Sequence, residues 1–303
     1  MKILIDTDIG DDIDDALAIL LAMELRLDIV GVTTVFLDTV ARAQMVRKLL
    51  SLYGKGYEKI PVYAGHGGSL EFSTALCQAT EDLSNKEYAP NSDDPEDAVD
   101  FIINCCEEYN EELCILAIGP FTNLARALRK NSEAVKKAGR IVIMGGCYFR
   151  QYADWNVSCD PDSAAVLFDS VEGIECIGAD VTHDVGRISE EQNADMAKCR
   201  SESTARGYVA EMYRMWQART NGSLAMLHDP LAVYYLSDPS ILTLVKGRVC
   251  VITEGPARGM TLNLEEYKKA HMNPAIPDST KIQKLAKEAI KGPLMARIKE
   301  IFA

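Results

Sequence analysis

Basic residues are the minority charge in this chain. Lysine and arginine together number 32 against 45 aspartates and glutamates, a formal net charge of −13. Holding nucleic-acid phosphates or an anionic membrane surface needs a basic stripe, so this balance speaks against both partners. No Cys-x-x-Cys pair occurs. The nine cysteines are odd in number and scattered, with Cys105 and Cys106 adjacent, which fits reduced thiols in a cytosolic core better than a disulfide framework. Long apolar runs are missing too. The longest near the start, Ala16 to Met23, is too short to span a bilayer. Met1 to Ile5 reads as a strand that runs straight into Asp6 and Asp8, so no signal peptide is expected there. No internal repeat and no low-complexity stretch is visible. The expectation is a soluble, cytoplasmic protein.

At 303 residues and 48% hydrophobic, the chain has enough apolar material for one large α/β domain over residues 1–303. Short apolar runs alternate with helical patterns. Ile3–Ile5 predicts a strand, Asp15–Leu25 a helix, Ile29–Val35 a strand and Val40–Tyr53 a helix. Pro61–Tyr63 predicts a short extended piece, Ala98–Tyr109 a helix, Leu113–Ile118 a strand and Asn123–Arg129 a helix. Ile141–Met144 and Ile174–Ile177 predict further strands. This order implies an open, mostly parallel central sheet flanked by helices on both faces. Glu81–Glu96 reads as a surface loop. Residues after about Gly186 read as mostly helical, ending in a Lys-rich amphipathic helix over Ser279–Ile301. Tyr208, Met212, Met215 and Trp216 share a helical stripe over Ser203–Arg219 that reads as core or cleft wall.

In open parallel sheets ligands lie beyond the carboxyl ends of the strands. The informative segment stands at such an end. Asp6, Asp8, Asp11, Asp12, Asp14 and Asp15 place six carboxylates within ten residues, directly after the first strand. Helix capping accounts for one or two of them. Six converging carboxylates repel one another, and a bound divalent cation removes that cost. Hard oxygen ligands point to Ca²⁺ or Mg²⁺ rather than zinc. The segment is not an EF-hand, because the loop's closing glutamate is missing at the required offset and Asp14–Asp15 opens a helix instead.

Asp6-Thr7-Asp8-Ile9-Gly10 followed by Asp14-Asp15-Ala16 resembles the N-terminal signature of the nucleoside hydrolases. Six further segments resemble that family in its order: Gly31–Val35, Pro61–Gly65, Ala117–Ala125, Met144–Gly146 with Asp154–Asn156, Leu227–Ala232 and Gly255–Thr261. The resemblance covers nearly the whole chain. It implies hydrolysis of the N-glycosidic bond of ribonucleosides, a small-molecule nucleoside as substrate, one Ca²⁺ per subunit and a homodimer or homotetramer. It implies that Asp8, Asp15 and Asp229 ligate the metal with side chains and Ile118 with its carbonyl. Asp8 would be the general base and His228 the acid that protonates the departing base, imidazole having a pKa near neutrality. Asp14, Asp38, Met144, Asp154 and Asn156 would contact the substrate. Tyr148, Phe149, Tyr152, Trp155 and Trp216 are candidates for stacking on the base. His66, His183 and His271 receive no role.

The chain departs from the family pattern in several places. Three residues, Asp11, Asp12 and Ile13, stand where the family usually has one. Leu37-Asp38 replaces the usual Gly-Asn, and Asp154 stands where Glu is common. The family's usual His-Gly segment is missing from Glu81–Pro90, and Gly146–Asp154 is shorter than usual. These departures surround the pocket and leave the preferred base open. Two other readings remain. A haloacid dehalogenase-type phosphatase also begins with Asp-x-Asp, with Asp180 and Asp184 as its weak second acidic pair. A non-catalytic ribose- or nucleoside-binding protein would keep the metal site without turnover.

Overall fold

A computed structural model describes residues 1–68, 88–199, 203–266 and 280–302. Among these residues nine strands form one sheet. The first six are β1 (Lys2–Thr7), β2 (Asp28–Thr34), β3 (Val62–Ala64), β4 (Leu113–Ala117), β5 (Arg140–Met144) and β6 (Glu175–Ile177). They are followed by β7 (Leu242–Val251), β8 (Thr261–Asn263) and β9 (Ile282–Ala289). The order across the sheet is β3-β2-β1-β4-β5-β6-β9-β7-β8. β1 to β6 and β9 run parallel, while β7 pairs antiparallel with β9 and with β8. The chain winds outward from β1 in one direction to β3, then returns to lay β4 on its other side. That reversal opens a crevice between the carboxyl ends of β1 and β4, where open α/β sheets bind ligands.

Strand side chains alternate between two cores, as the two-residue period of a strand requires. Ile3, Ile5, Cys114, Leu116, Val142 and Met144 face one cluster, whereas Leu4, Leu113, Ile115, Ala117, Ile141 and Ile143 face the other. The first cluster is covered by α1 (Asp14–Glu24), α2 (Thr39–Tyr53), α9 (Ala205–Arg219) and α10 (His228–Ser237). The second is covered by α3 (Pro95–Tyr109), α4 (Thr122–Val135) and α6 (Pro161–Ser170). The remaining helices are α5 (Trp155–Cys159), α7 (Ala179–Val185), α8 (Glu190–Lys198) and α11 (Pro293–Phe302). From Asp14 to Met23 every residue of α1 is buried, which matches its nearly all-round apolar sequence. The described cysteines are all unpaired, and no described helix is long and apolar enough to cross a membrane.

The carboxyl-terminal third departs from the predicted helices. The Lys-rich segment expected as one helix over Ser279–Ile301 is a strand, β9, followed by α11; Ser279 itself lies outside the described residues. β9 completes the sheet between β6 and β7, and buried Gln283 bonds to the backbone at Phe168, Val171 and Ile174. Tertiary pairing overrides the helix propensity of its Lys, Glu and Ala residues. β7 likewise occupies a stretch expected to be helical. The loop expected over Glu81–Glu96 ends earlier: Asp94 caps α3, which starts at Pro95, and residues 81–87 lie outside the described ones.

Candidate active site

The crevice between β1 and β4 opens into a cleft of about 400 Å³, a volume suited to a small molecule. Asp8 directly follows β1, Ile118 directly follows β4, and Met144 ends β5; all three line the cleft. Asp14 and Asp15 stand in the first turn of α1, and His228 and Asp229 in the first turn of α10. Helix amino termini favour negative charge, so both helices present their carboxylates where the peptide dipoles support them. Asp154 and Asn156 arrive from the amino terminus of α5.

Carboxylate oxygens of Asp14, Asp15 and Asp229 lie within 4.8 Å of one another, and all three residues are buried. Hydrogen bonds fix them. The Thr7 hydroxyl donates to Asp15 Oδ1 at 2.5 Å, and the Asp229 backbone N–H donates to Asp14 Oδ2 at 3.3 Å. Burial and mutual repulsion push Asp15 up to about 8, and raise Asp8, Asp14 and Asp229 well above the usual carboxylate range. Arg42 opposes this at Asp8 and Asp15 with its positive charge. Asp6, one turn of the chain earlier, is pushed up to about 7 by burial. Its Oδ1 accepts from Thr33 and Asn123, and its buried Oδ2 has no hydrogen-bond partner. This cluster of carboxylate oxygens, which Arg42 offsets only in part, fits a hard divalent ion better than zinc.

Asp8 keeps close company with Gly119. A side chain at Gly119 would sit 3.0 Å from Asp8 Oδ1 and 2.9 Å from its backbone nitrogen, which explains glycine at that position. The Asn156 amide nitrogen donates to the carbonyls of Ile118 at 2.8 Å and Met144 at 3.1 Å, tying the ends of β4 and β5 together. The Asp154 carboxylate caps α5 and is pushed up to about 6 by burial.

The outer part of the cleft is aromatic. Tyr152 and Trp155 are about half exposed and line it together with Trp216, Arg219 and Thr220. Tyr148 is buried in the core and Phe149 packs against it, so neither reaches a ligand there. Trp216 stacks on Tyr213; of the other members of its stripe, Tyr208 and Met212 belong to the core and Met215 is only half-buried. The His228 ring lies between the metal-ligand candidates and this aromatic part. Its Nδ1 is 2.6 Å from the Thr182 hydroxyl, and its ring meets His183 edge-on at 5.2 Å. Burial and then His183 push it down to about 4, in contrast to the near-neutral value expected from sequence. Asp38 stands apart from all of this. It is exposed, accepts from the Ala41 N–H and caps α2, outside the cleft lining.

The profile of the inosine-uridine preferring nucleoside hydrolases matches residues 3–287. The chain belongs to this family. It is 32% identical over 282 residues to Uridine nucleosidase 1 of Arabidopsis thaliana, covering 88% of this chain and 83% of the relative. It is 28% identical to the inosine-uridine preferring nucleoside hydrolase of Crithidia fasciculata over 80% of each chain. A solved plant nucleoside hydrolase superposes with a TM-score of 0.81 at 26% identity, covering 99% of this chain and 98% of that one. The protein is thus a hydrolase of N-glycosidic bonds. Membership also removes the phosphatase reading, and the geometry agrees: Asp180 accepts from Cys147 and from the Tyr148 and Phe149 N–H groups, while Asp184 pairs with Arg150. Neither lines the cleft.

This hydrolase places Asp8, Asp14, Asp15, Ile118, Met144, Asp154, Asn156, His228 and Asp229 around one cleft, and leaves Asp38 out. Sequence reasoning passed over Thr7, Arg42 and Thr182, which bond Asp15, the Asp8 carbonyl and His228, and Asn123, which bonds Asp6 at the end of β1. Arg42 carried a signal. It is a lone charge on the buried face of α2, beside Ala43, Val46 and Leu49. Thr182 carried none, since its partner His228 lies 46 residues away.

Proposed function

We propose that this hydrolase splits ribonucleosides into ribose and free base with one Ca²⁺ per subunit held by Asp8, Asp15, Asp229 and the Ile118 carbonyl. The observation that carries the reading is the convergence of buried Asp14, Asp15 and Asp229 oxygens within 4.8 Å. A bound calcium ion supplies a hard acid that orients ribose hydroxyls and makes an attacking water more acidic. Asp8, at the end of β1 beside Gly119, takes the proton of that water as general base. Asn156 spends its amide nitrogen on two carbonyls, which leaves its Oδ1 to accept from a sugar hydroxyl. Asp14 and Asp154 accept from other hydroxyls, and Met144 packs on the sugar. Orientation, rather than covalent chemistry, is what these contacts contribute.

His228 acts as a neutral donor. In the tautomer whose Nδ1 accepts from the Thr182 hydroxyl, 2.6 Å away, the ring proton sits on Nε2, and that N–H would bond the departing base as negative charge grows on it. Tyr152, Trp155 and Trp216 form the wall against which the base lies. Uridine is the first substrate to try, because the similar Arabidopsis protein is named for it.

The deciding experiment is a reducing-sugar assay over purine and pyrimidine ribosides, with and without a calcium chelator. Ribose release that the chelator stops and calcium restores is the expected result. Release unaffected by the chelator would overturn the calcium role, and ribose binding without release would replace the enzyme by a binding protein. His228→Ala should slow uridine by about 100-fold or more and a riboside with a good leaving group far less. Equal slowing of both would remove His228 from leaving-group chemistry.

A further inference from the structure

The longer loop after Gly10 comes with its own buried counter-charge. Arg42 is fully buried on α2, and its guanidinium spends its nitrogens in three directions. Nε donates to the Phe36 carbonyl at 2.7 Å. Nη1 donates to the carbonyls of Asp8 and, at 2.8 Å, of Ile9. Nη2 donates to Asp11 Oδ2 at 2.7 Å. The three backbone contacts are the costly part, because they require a guanidinium stripped of water. They fix the chain from Asp8 to Asp11 against the end of β2.

The acceptor on β2's side is also built for this purpose. Phe36 and Leu37 have φ of 72° and 54°, left-handed values that residues other than glycine rarely adopt. That turn delivers the Phe36 carbonyl to Nε and puts the Phe36 ring 5.8 Å from the guanidinium. The same ring meets Trp155 of the cleft edge-on at 6.2 Å.

We infer that Arg42 is the positioning residue of the metal-holding loop: its fork locks the Asp8 and Ile9 carbonyls and Asp11, and so sets where the Asp8 carboxylate stands. The inference rests on the calcium reading above and adds a residue that touches neither ion nor substrate. A planar fork is what the contacts demand. Lysine keeps the charge but meets these divergent acceptors from a single point.

The test compares the unaltered protein with Arg42→Lys and Asp11→Asn. Calcium affinity is measured by titration calorimetry on calcium-depleted protein. kcat and KM for a cleaved riboside are measured at saturating calcium, and melting temperature reports folding. Arg42→Lys is expected to weaken calcium by about 10- to 100-fold, as loss of a partner behind the ligands does. Its kcat should stay about tenfold low even at saturating calcium, because Asp8 is also the base. Asp11→Asn frees only Nη2 and should weaken calcium by about two- to fivefold. A folded Arg42→Lys protein with unchanged calcium affinity, or with full kcat once saturated, would overturn the inference. If that variant does not fold, Asp11→Asn decides, and unchanged calcium affinity there overturns it. No calcium uptake by the unaltered protein would instead bring down the proposed function, and this inference with it.

Discussion

At the amino end of the sheet, buried Glu175 on β6 accepts from Arg140 at 2.6 Å, Lys284 at 3.1 Å and the Tyr235 hydroxyl at 2.9 Å. At the carboxyl end, buried Asp15 accepts from one threonine hydroxyl and faces the carboxylates of Asp8, Asp12, Asp14 and Asp229, opposed only in part by Arg42. The outcome is opposite. Glu175 is held below its ordinary value in spite of burial, whereas Asp15 is pushed up to about 8. One end spends its charges on each other, and the protein alone satisfies them. The other gathers more negative charge than Arg42 offsets, which costs stability and creates affinity for a cation. Buried carboxylates that outnumber their counter-ions are therefore the sign to look for when separating a site from a scaffold.

The sharpest way to break this comparison is at Asp8. Asp8→Asn keeps the size of the side chain and removes the base, so kcat should fall by about 1,000-fold or more while the protein stays folded. Full activity in that variant, followed by ribose release, would end the proposed chemistry. Next come matched changes at the two ends. Without calcium at pH 8, Asp15→Asn should make the protein about 1–3 kcal/mol more stable, because it removes a repelled charge, while abolishing tight calcium binding. Glu175→Gln should cost about 1–2 kcal/mol, because it unpairs Arg140, and should leave kcat within about twofold. Urea unfolding of both variants checks the signs. Two changes in the same direction would mean that the ends do not differ.

The pH profile sharpens the same contrast. Asp6 and Asp15 have folded values of about 7 and about 8, above the ordinary 3.8, so the folded protein binds more protons than the unfolded chain in between. Stability of the calcium-free protein is therefore highest at low pH and is lost as pH rises from about 4 to about 8. Glu175 runs the other way. Its stabilisation is present above the ordinary 4.5 and is lost as pH falls below that. Melting temperatures between about pH 7 and 8 thus isolate the raised carboxylates, because His228, held at about 4, adds a slope of opposite sign only below its ordinary 6.5. They should fall with rising pH in chelator, and calcium should flatten the slope. A rise in chelator over that range would contradict the assignment.

Much of this was legible in the sequence. Alternation of Ile3, Leu4 and Ile5 between the two cores follows from a two-residue period, and the mostly parallel sheet with helices on both faces follows from the order of runs. Asp14 and Asp15 were matched to the family's Asp pair although the loop is longer, and they are the pair that meets Asp229. What stayed hidden depends on partners distant in sequence. β9 reads as a helix until β6 and β7 flank it. Asp38 reads as a site residue until the turn at Phe36 and Leu37 carries it out to cap α2. His228 reads as near-neutral until Thr182 and His183 enclose it. Local sequence encodes periodicity and chemistry, but not which backbone or ring will take water's place.

The turn at Leu37 yields the smallest effect. A left-handed conformation costs a side-chain-bearing residue about 1–2 kcal/mol, and glycine avoids that cost while losing up to about 1 kcal/mol through chain freedom. Leu37 is only half-buried, so little packing is lost with its side chain. Leu37→Gly should therefore stabilise the protein by about 0.5–1 kcal/mol in urea unfolding. The Phe36 carbonyl should still reach Arg42, because the φ it needs is easier next to glycine, and calcium affinity should not move. If stability rises while calcium affinity falls, the strain itself holds the turn against Arg42, and the cost at Leu37 is part of how the site is kept in shape.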